Sequence, residues 1–381
     1  MTGARRRVLL AGGGHAHIVA LRHLVPRPLN QCDLTLISPN ALTWYSGALP
    51  GAIAGHWPAS TITTDVAALA RAAGAEFVEG NIDAIDAGGQ AVSVGGKRLP
   101  YDLLLLDIGS ASRDLPHLSA MPEFLNVRPI PDFVASVESA LGAIARGEAP
   151  AQAVILGGGL GGIELAFALH YRLTKSSAAT TPKVTLIEAG DEIAGGASPA
   201  LRQALMAALA RKGIHVRTGT RATGFDARKL VLSDGSDIGT GLVVNATGAA
   251  AHRFLADSDL ATVSGFVAVD TCLRARFHPE IWASGDTAWF ESQPLPAAGV
   301  YAVRQGPHLA ENLHRWQAGE PLQEFHPQTD YLKLVSLGGR EAIAEKAGLA
   351  LSLPGARTLL WHLKKSIDFG FLAANRRAAG D

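Results

Sequence analysis

The chain has 381 residues, too many for one hydrophobic core, and 48% of them are apolar, so two or three folded domains are expected rather than a disordered chain. Lys plus Arg and Asp plus Glu both number 34, which leaves no net field to select a nucleic acid, and any ligand must be recognised locally. The only cysteines, Cys32 and Cys272, stand in no CxxC or zinc-like spacing, so neither a disulfide framework nor a metal centre is expected.

The basic opening Arg5–Arg7 leads into an apolar run that Gly12 cuts far too short for a signal peptide, so it reads as a first strand, Arg7–Ala11. Gly12, Gly13 and Gly14 then form a turn, a helical stretch follows around Ile18–Leu24, and Asp33–Ile37 makes a second strand. The same order returns later in the chain. Ala153–Leu156 runs into Gly157–Gly162, a helix continues through Leu173, and Lys183–Ile187 closes the unit. Continuous Val/Ile/Leu runs bounded by glycine are what strands buried on both faces of a parallel sheet require, and helical-period segments supply the crossovers. Two βαβ units imply two nucleotide-sized halves. The stretch Ala178–Pro182 reads as a solvent loop, and Asp234–Gly235 as a hairpin turn after Lys229–Ser233.

Gly157-x-Gly159-x-x-Gly162 fits the dinucleotide fingerprint at every glycine. The first makes the tight turn, the second lets the backbone approach a pyrophosphate, and the third allows close helix–strand packing; the helix N-terminus offers its N–H groups to the phosphates. Glu188 ends the next strand, where a carboxylate can bind a ribose 2′-OH and repel a 2′-phosphate, and with no Arg close by in sequence this favours NADH over NADPH. The first unit is less regular: Gly12-x-Gly14 is followed by His17 at the third small position, and Ser38 replaces the acid. A Ser hydroxyl can still bond a ribose, so nucleotide binding is expected there as well. His15 and His17 lack carboxylate or Cys partners, and no metal is expected.

With Ile281–Ala288, which contains Gly285–Asp286, these motifs form a trio that resembles the two-dinucleotide flavoprotein family, the pyridine nucleotide–disulfide oxidoreductase-like proteins. Type II NADH dehydrogenases and sulfide:quinone oxidoreductases belong to it, and here the redox cysteines are missing. The resemblance implies an α/β fold of two Rossmann-like domains: a discontinuous FAD domain (1–112 and 247–316), a connector (113–150), an inserted NAD domain (151–246) and a C-terminal interface or membrane-surface region (317–381). It implies FAD contacts from Gly12, Gly13, Gly14, His15, Ala16, Ser38, Ile82, Gly109, Ser110, Gly248, Gly285 and Asp286, with the Asp286 carboxylate on the ribityl chain. The segment Thr43–Gly51, with Ser46 and Pro50, resembles one that packs along the isoalloxazine in a subgroup close to the sulfide:quinone enzymes and to flavoproteins fused to selenophosphate synthetases. Gly157, Gly159, Gly162 and Glu188 would hold NADH.

By the same resemblance, Glu164 lies beside the nicotinamide, although a solvated first-turn Glu favoured by the helix dipole fits the sequence equally. Ala298–Gly306 opens a helix whose N-terminus stabilises reduced flavin; in it Tyr301 and Gln305 stand where a Gln-x-x-x-Gln pair faces quinone in type II enzymes. The expected activity is therefore NADH oxidation through FAD to a quinone or other small acceptor, with Tyr301, Gln305 and Glu164 at the reacting end. A flavoprotein with a sensing or assembly role, or one fed by another reductant, is the alternative. In the tail, Leu360, Leu363, Ile367 and Phe371 recur at helical spacing around Lys364 and Lys365, while Gly370 weakens a long helix. From Leu351 onward five Lys or Arg face two Asp, so the tail reads as a basic amphipathic segment for an anionic membrane, or equally as a cover for the FAD domain or a homodimer interface. No stretch approaches the ~18 apolar residues of a spanning helix, and the expected location is the cytoplasm or the inner face of its membrane.

Overall fold

The computed structural model describes residues 5–176 and 181–380; most of the expected Ala178–Pro182 loop therefore lies outside the described residues. The first unit builds a nine-stranded sheet around strands Arg6–Ala11, Cys32–Ser38 and Leu103–Leu106. Arg6–Ala11 pairs in parallel with Cys32–Ser38 on one side and with Leu103–Leu106 on the other, and His278–Ala283 extends the sheet beyond the latter. The chain thus departs from the first strand in opposite directions. That reversal opens a crevice at the strands' carboxyl ends, where α/β sheets bind their ligands.

The second unit repeats the order. Gln152–Leu156 sits between Lys183–Ile187 and Leu242–Asn245, all parallel, in a five-stranded sheet. Its far edge is Phe124–Asn126, which pairs in parallel with Leu242–Asn245. The 113–150 segment is therefore more than a connector: it contributes that strand and the helix Ile130–Ala145, whose Phe133, Val137 and Leu141 are buried in the second core. The short strand Ala111–Ser112 pairs antiparallel with Ala249–Ala250 where the chain crosses between units.

The Asp234–Gly235 hairpin forms as expected, joining Lys229–Leu232 to Asp237–Gly239 with Gly235 at φ +83°. The helix Gly299–Ala318 packs on the first dinucleotide helix, His15–Leu24. A Cβ at Gly306 would come within 2.4 Å of Val19, so only glycine permits this approach. After it come the antiparallel strands Lys333–Ser336, Ala342–Lys346 and Leu349–Leu351, and then one continuous helix, Pro354–Ala379. Gly370 does not break that helix: it lies on the exposed side, where the loss of a side chain forfeits no packing.

The burial of this helix splits the expected apolar stripe between two faces. Leu360, Trp361, Asp368, Leu372 and Asn375 face inward, whereas Leu359, Leu363 and Ile367 are 72%, 42% and 49% exposed. Lys364 points inward rather than joining Lys365 on a solvated basic face. The expected stripe of Leu360, Leu363, Ile367 and Phe371 mixes two faces, because the inward one accommodates charged groups that pair with each other.

Candidate functional site

Each unit ends its first strand in a glycine turn shaped by the same close contact. Gly12 has φ +101° and a Cβ there would lie 2.3 Å from the Asp107 carbonyl; Gly157 has φ +107° and the equivalent contact is 2.3 Å to the Ala246 carbonyl. Both turns therefore demand glycine for conformation and for space. Between the first two fingerprint positions Gly13 packs on Ser38 and Gly158 on Glu188, so Ser38 and Glu188 are structural equivalents. The Glu188 carboxylate accepts the Gly158 N–H at 2.6 Å and the Gly190 N–H at 2.8 Å, which orients it at the strand end. An arginine does come near: Arg217 accepts the Glu188 N–H through its carbonyl, but its guanidinium is taken by Asp234 and Ser236.

The third positions differ. A Cβ at Gly162 would sit 2.0 Å from the Gly157 carbonyl, the tight packing a third glycine serves. In the first unit His17 fills this place, fully buried, with Nδ1 2.7 Å from the Gly12 carbonyl, and burial lowers its pKa to about 4, so the ring is neutral. Burial likewise lowers the pKa of His15, whose ring lies against Tyr45 and Phe371, with centroids 5.4 and 5.9 Å away.

Asp286 closes the first crevice. It sits in a one-turn 3-10 helix, Gly285–Thr287, directly after the strand His278–Ala283, with Gly285 at φ +57°. Its carboxylate accepts from Ser110 Oγ and from the Arg128 guanidinium, both at 3.3 Å. Gly109 carries φ +69° beside it and Gly248 φ +92° at the second crossing. Arg128 is a member of this site that sequence reading missed; lying in the presumed connector, it belonged to no motif. Gly285, Asp286, Trp289, Leu295, Tyr301 and Gln305 line one cavity.

Gln305 is placed differently from the expected acceptor-facing residue. It is 2% exposed and its side-chain oxygen accepts the Gly285 N–H at 2.7 Å, so it braces the Gly-Asp turn. Tyr301, one turn earlier, is nearly buried against the Tyr331 ring at 5.7 Å. Ser46 and Pro50 fall in a 3-10 turn and the short helix Leu49–Ile53 between the two units, with Pro50 buried. Ile82 begins a strand of a separate three-stranded sheet beside the first unit.

Glu164 is not a solvated helix residue. Its carboxylate accepts the Ser336 N–H at 2.8 Å and lies 3.8 Å from Lys364 Nζ. Burial raises its pKa, opposed by Lys364. Lys364 also donates to the Gly47 carbonyl at 2.9 Å and to Asp368 at 3.3 Å, and Asp368 accepts from Tyr45 at 3.1 Å. Burial pushes Asp368 upward as well. This buried network ties the second dinucleotide helix to the Thr43–Gly51 segment and the C-terminal helix. Sequence reading singled out Glu164, but neither its pairing with Lys364 nor the Lys364–Asp368 pair.

The residues fit two dinucleotides. In the second turn the N–H groups of Gly159, Leu160, Gly161 and Gly162 have no acceptor among the described residues, and a Cβ at Gly159 or Gly161 would meet open space. In the first, the N–H groups of Gly13 and His15 have no acceptor among the described residues. Among the described residues, no group of three or more His, Cys, Asp or Glu could hold a metal.

Residues 6–310 match the pyridine nucleotide-disulphide oxidoreductase family, and the chain belongs to it. It is an oxidoreductase of the class with two dinucleotide domains. The type II NADH:quinone oxidoreductase of Staphylococcus aureus is 22% identical over 97% of this chain and 95% of its own length. Among solved structures, the sulfide:quinone oxidoreductase of Aquifex aeolicus superposes with a TM-score of 0.82 at 16% identity, covering 98% of this chain and 92% of its own. NDH2 of Plasmodium falciparum, solved in complex with NADH, gives 0.82 at 13% identity, covering 97% of both chains. The disulphide in the family's description finds no counterpart here: Cys32 and Cys272 are both buried free thiols, and burial raises the pKa of each.

Proposed function

We propose that the protein oxidises NADH bound at the second unit, using FAD held at the first, and passes the electrons to a quinone or similar small acceptor. The observation that supports this most directly is the pair of matching glycine turns with Asp286 at the first crevice, in a chain similar over 97% of its length to a relative named for that reaction.

FAD, when bound, supplies the redox chemistry by accepting a hydride and yielding electrons singly or in pairs. The protein's share is binding and orientation. Gly12–Gly14 bring backbone against one pyrophosphate and Gly157–Gly162 against the other; Asp286 accepts hydrogen bonds from a sugar-alcohol chain, and Glu188 from a ribose. The amino end of the helix Gly299–Ala318 carries about half a positive charge, which favours added electron density nearby. Tyr301 lines the cavity beside Asp286, and Glu164 is held by the Ser336 N–H and Lys364, with burial raising its pKa. Rapid mixing of the FAD-loaded protein with NADH should bleach the flavin; no reduction at about millimolar NADH rejects the proposal, since enzyme Km values run from about 1 μM to about 1 mM.

The C-terminal helix supports contact with a membrane surface. No helix among the described residues is long and apolar enough to cross a membrane. Yet Leu353, Leu359, Leu363 and Ile367 are all more than 40% exposed, beside Lys365. Co-sedimentation with anionic vesicles checks it, and self-association without vesicle binding would instead assign the face to a dimer.

A further inference from the structure

The two dinucleotide turns differ in one respect that their shared geometry makes plain. In the second, four consecutive N–H groups at the helix start have no acceptor among the described residues. In the first, the N–H groups of Ala16 and His17 are already bonded, at 2.8 and 3.2 Å, to one carboxylate oxygen of Asp107, and the Gly14 N–H is bonded at 3.1 Å to the Asp107 carbonyl. Asp107 follows the strand Leu103–Leu106; the matching position after Leu242–Asn245 is Ala246, which has no polar side chain.

The carboxyl is 2% exposed and wedged between the two glycine turns of the first crevice. A Cβ at Gly14 would lie 2.2 Å from its Cγ, and one at Gly285 2.6 Å from its Oδ1. Both turns have no side chain at the point where Asp107 sits. Of the charged and titratable residues around it, Asp286 on the Gly-Asp turn acts on it through space and His17 through its backbone N–H; His15 lies on the same helix as His17, and Arg128 and His252 lie on the crossing segments beside Asp286 and Ile108. Burial is the main cause lowering the pKa of both helix histidines and of His252, and Arg128 is paired with Asp286. No cation in that set is bonded to Asp107. Burial, helped by Asp286 and opposed by its two backbone hydrogen bonds, pushes its pKa up to about 7.

We propose that Asp107 is a positioning residue that couples flavin dinucleotide binding to a proton: the diphosphate is held when the acid is protonated and loosened when it ionises. An ionised carboxylate cancels the positive end of the helix that the diphosphate needs, whereas the neutral acid leaves it intact. The sign follows. A bound diphosphate raises the acid's pKa above its unliganded value, so binding takes up a proton in the interval between the two. Affinity is level below the unliganded value and falls as pH rises through the interval, by up to tenfold per pH unit for one proton, as linkage requires about 1.4 kcal/mol for each.

This inference rests on the first unit being the FAD site. FAD binding to the apoprotein is measured by calorimetry between about pH 5.5 and pH 9, in buffers of different ionisation heat, for the wild type and D107N. The wild type should take up close to one proton above neutrality and none at the acid end, and its dissociation constant should rise accordingly. The D107N carboxamide keeps an acceptor for the two N–H groups and cannot ionise, so its affinity should stay flat. Wild-type binding that is independent of pH overturns the inference while leaving the FAD site intact, and needs no variant. Equal proton uptake by D107N also overturns it, assigning the proton to a neighbour such as His15. No FAD binding at any pH rejects the FAD site itself, and the inference with it.

Discussion

Replacing Lys364 with Met removes the one cation from a buried set of two carboxyls. Lys364 Nζ lies 3.3 Å from Asp368 and 3.8 Å from Glu164, and the three side chains are 15%, 7% and 15% exposed. At an effective dielectric of about 20 these separations correspond to roughly 5 and 4 kcal/mol of attraction, most of it offset by desolvation of all three groups. Breaking such a buried pair from one side costs about 3–5 kcal/mol, because charge is stranded. The stranded carboxyls can escape by protonating. Their folded-state pKa values are already raised, so each favours the folded state below its unfolded value and disfavours it as pH rises through the folded one. Losing Lys364 raises both further, which makes the substitution costly above neutrality and nearly harmless in acid. We expect K364M to lose about 3 kcal/mol at pH near 8 and less than about 1 at pH near 5, by denaturant unfolding at fixed saturating FAD. Adding D368L should recover at least half of the loss at the higher pH. A loss equal at both pH values, or no recovery in the double variant, would refute the reasoning.

Three further outcomes follow from the site. G162A places a methyl 2.0 Å from the Gly157 carbonyl, so overpacking of about 1–3 kcal/mol is expected, with NADH affinity lost and FAD content retained by absorbance. E188S removes the carboxylate that the Gly158 and Gly190 N–H groups orient; it should weaken NADH at least tenfold and narrow its advantage over NADPH, read from steady-state kinetics with each nucleotide. L363E on the exposed face of the C-terminal helix should abolish vesicle binding and leave flavin reduction by NADH unchanged, since Leu363 is 42% exposed and remote in sequence from both turns.

Local sequence determined the parts of this protein that depend on backbone geometry. Gly12, Gly157 and Gly285 adopt positive φ, and a strand–glycine–helix order permits few other folds, so both nucleotide units and the Gly-Asp turn were legible from residue types and spacing alone. The Glu188 and Ser38 positions were legible for the same reason: a fixed offset along a βαβ unit fixes a place in space. What spacing cannot encode is contact between distant segments. Asp107 beneath Ala16 and His17, Arg128 on Asp286, and Lys364 beside Glu164 each join residues that are 90 or more, 158 and 200 positions apart or nearly so, and only the packed chain reveals them. The same limit explains the tail. Its helical period was visible, but which side faces inward depends on where Glu164, Tyr45 and Gly47 lie, and buried charge pairs drew Lys364 and Asp368 in while Leu359, Leu363 and Ile367 stayed outside. Tertiary structure thus decided the electrostatics of the site, because charges interact through space and not along the chain.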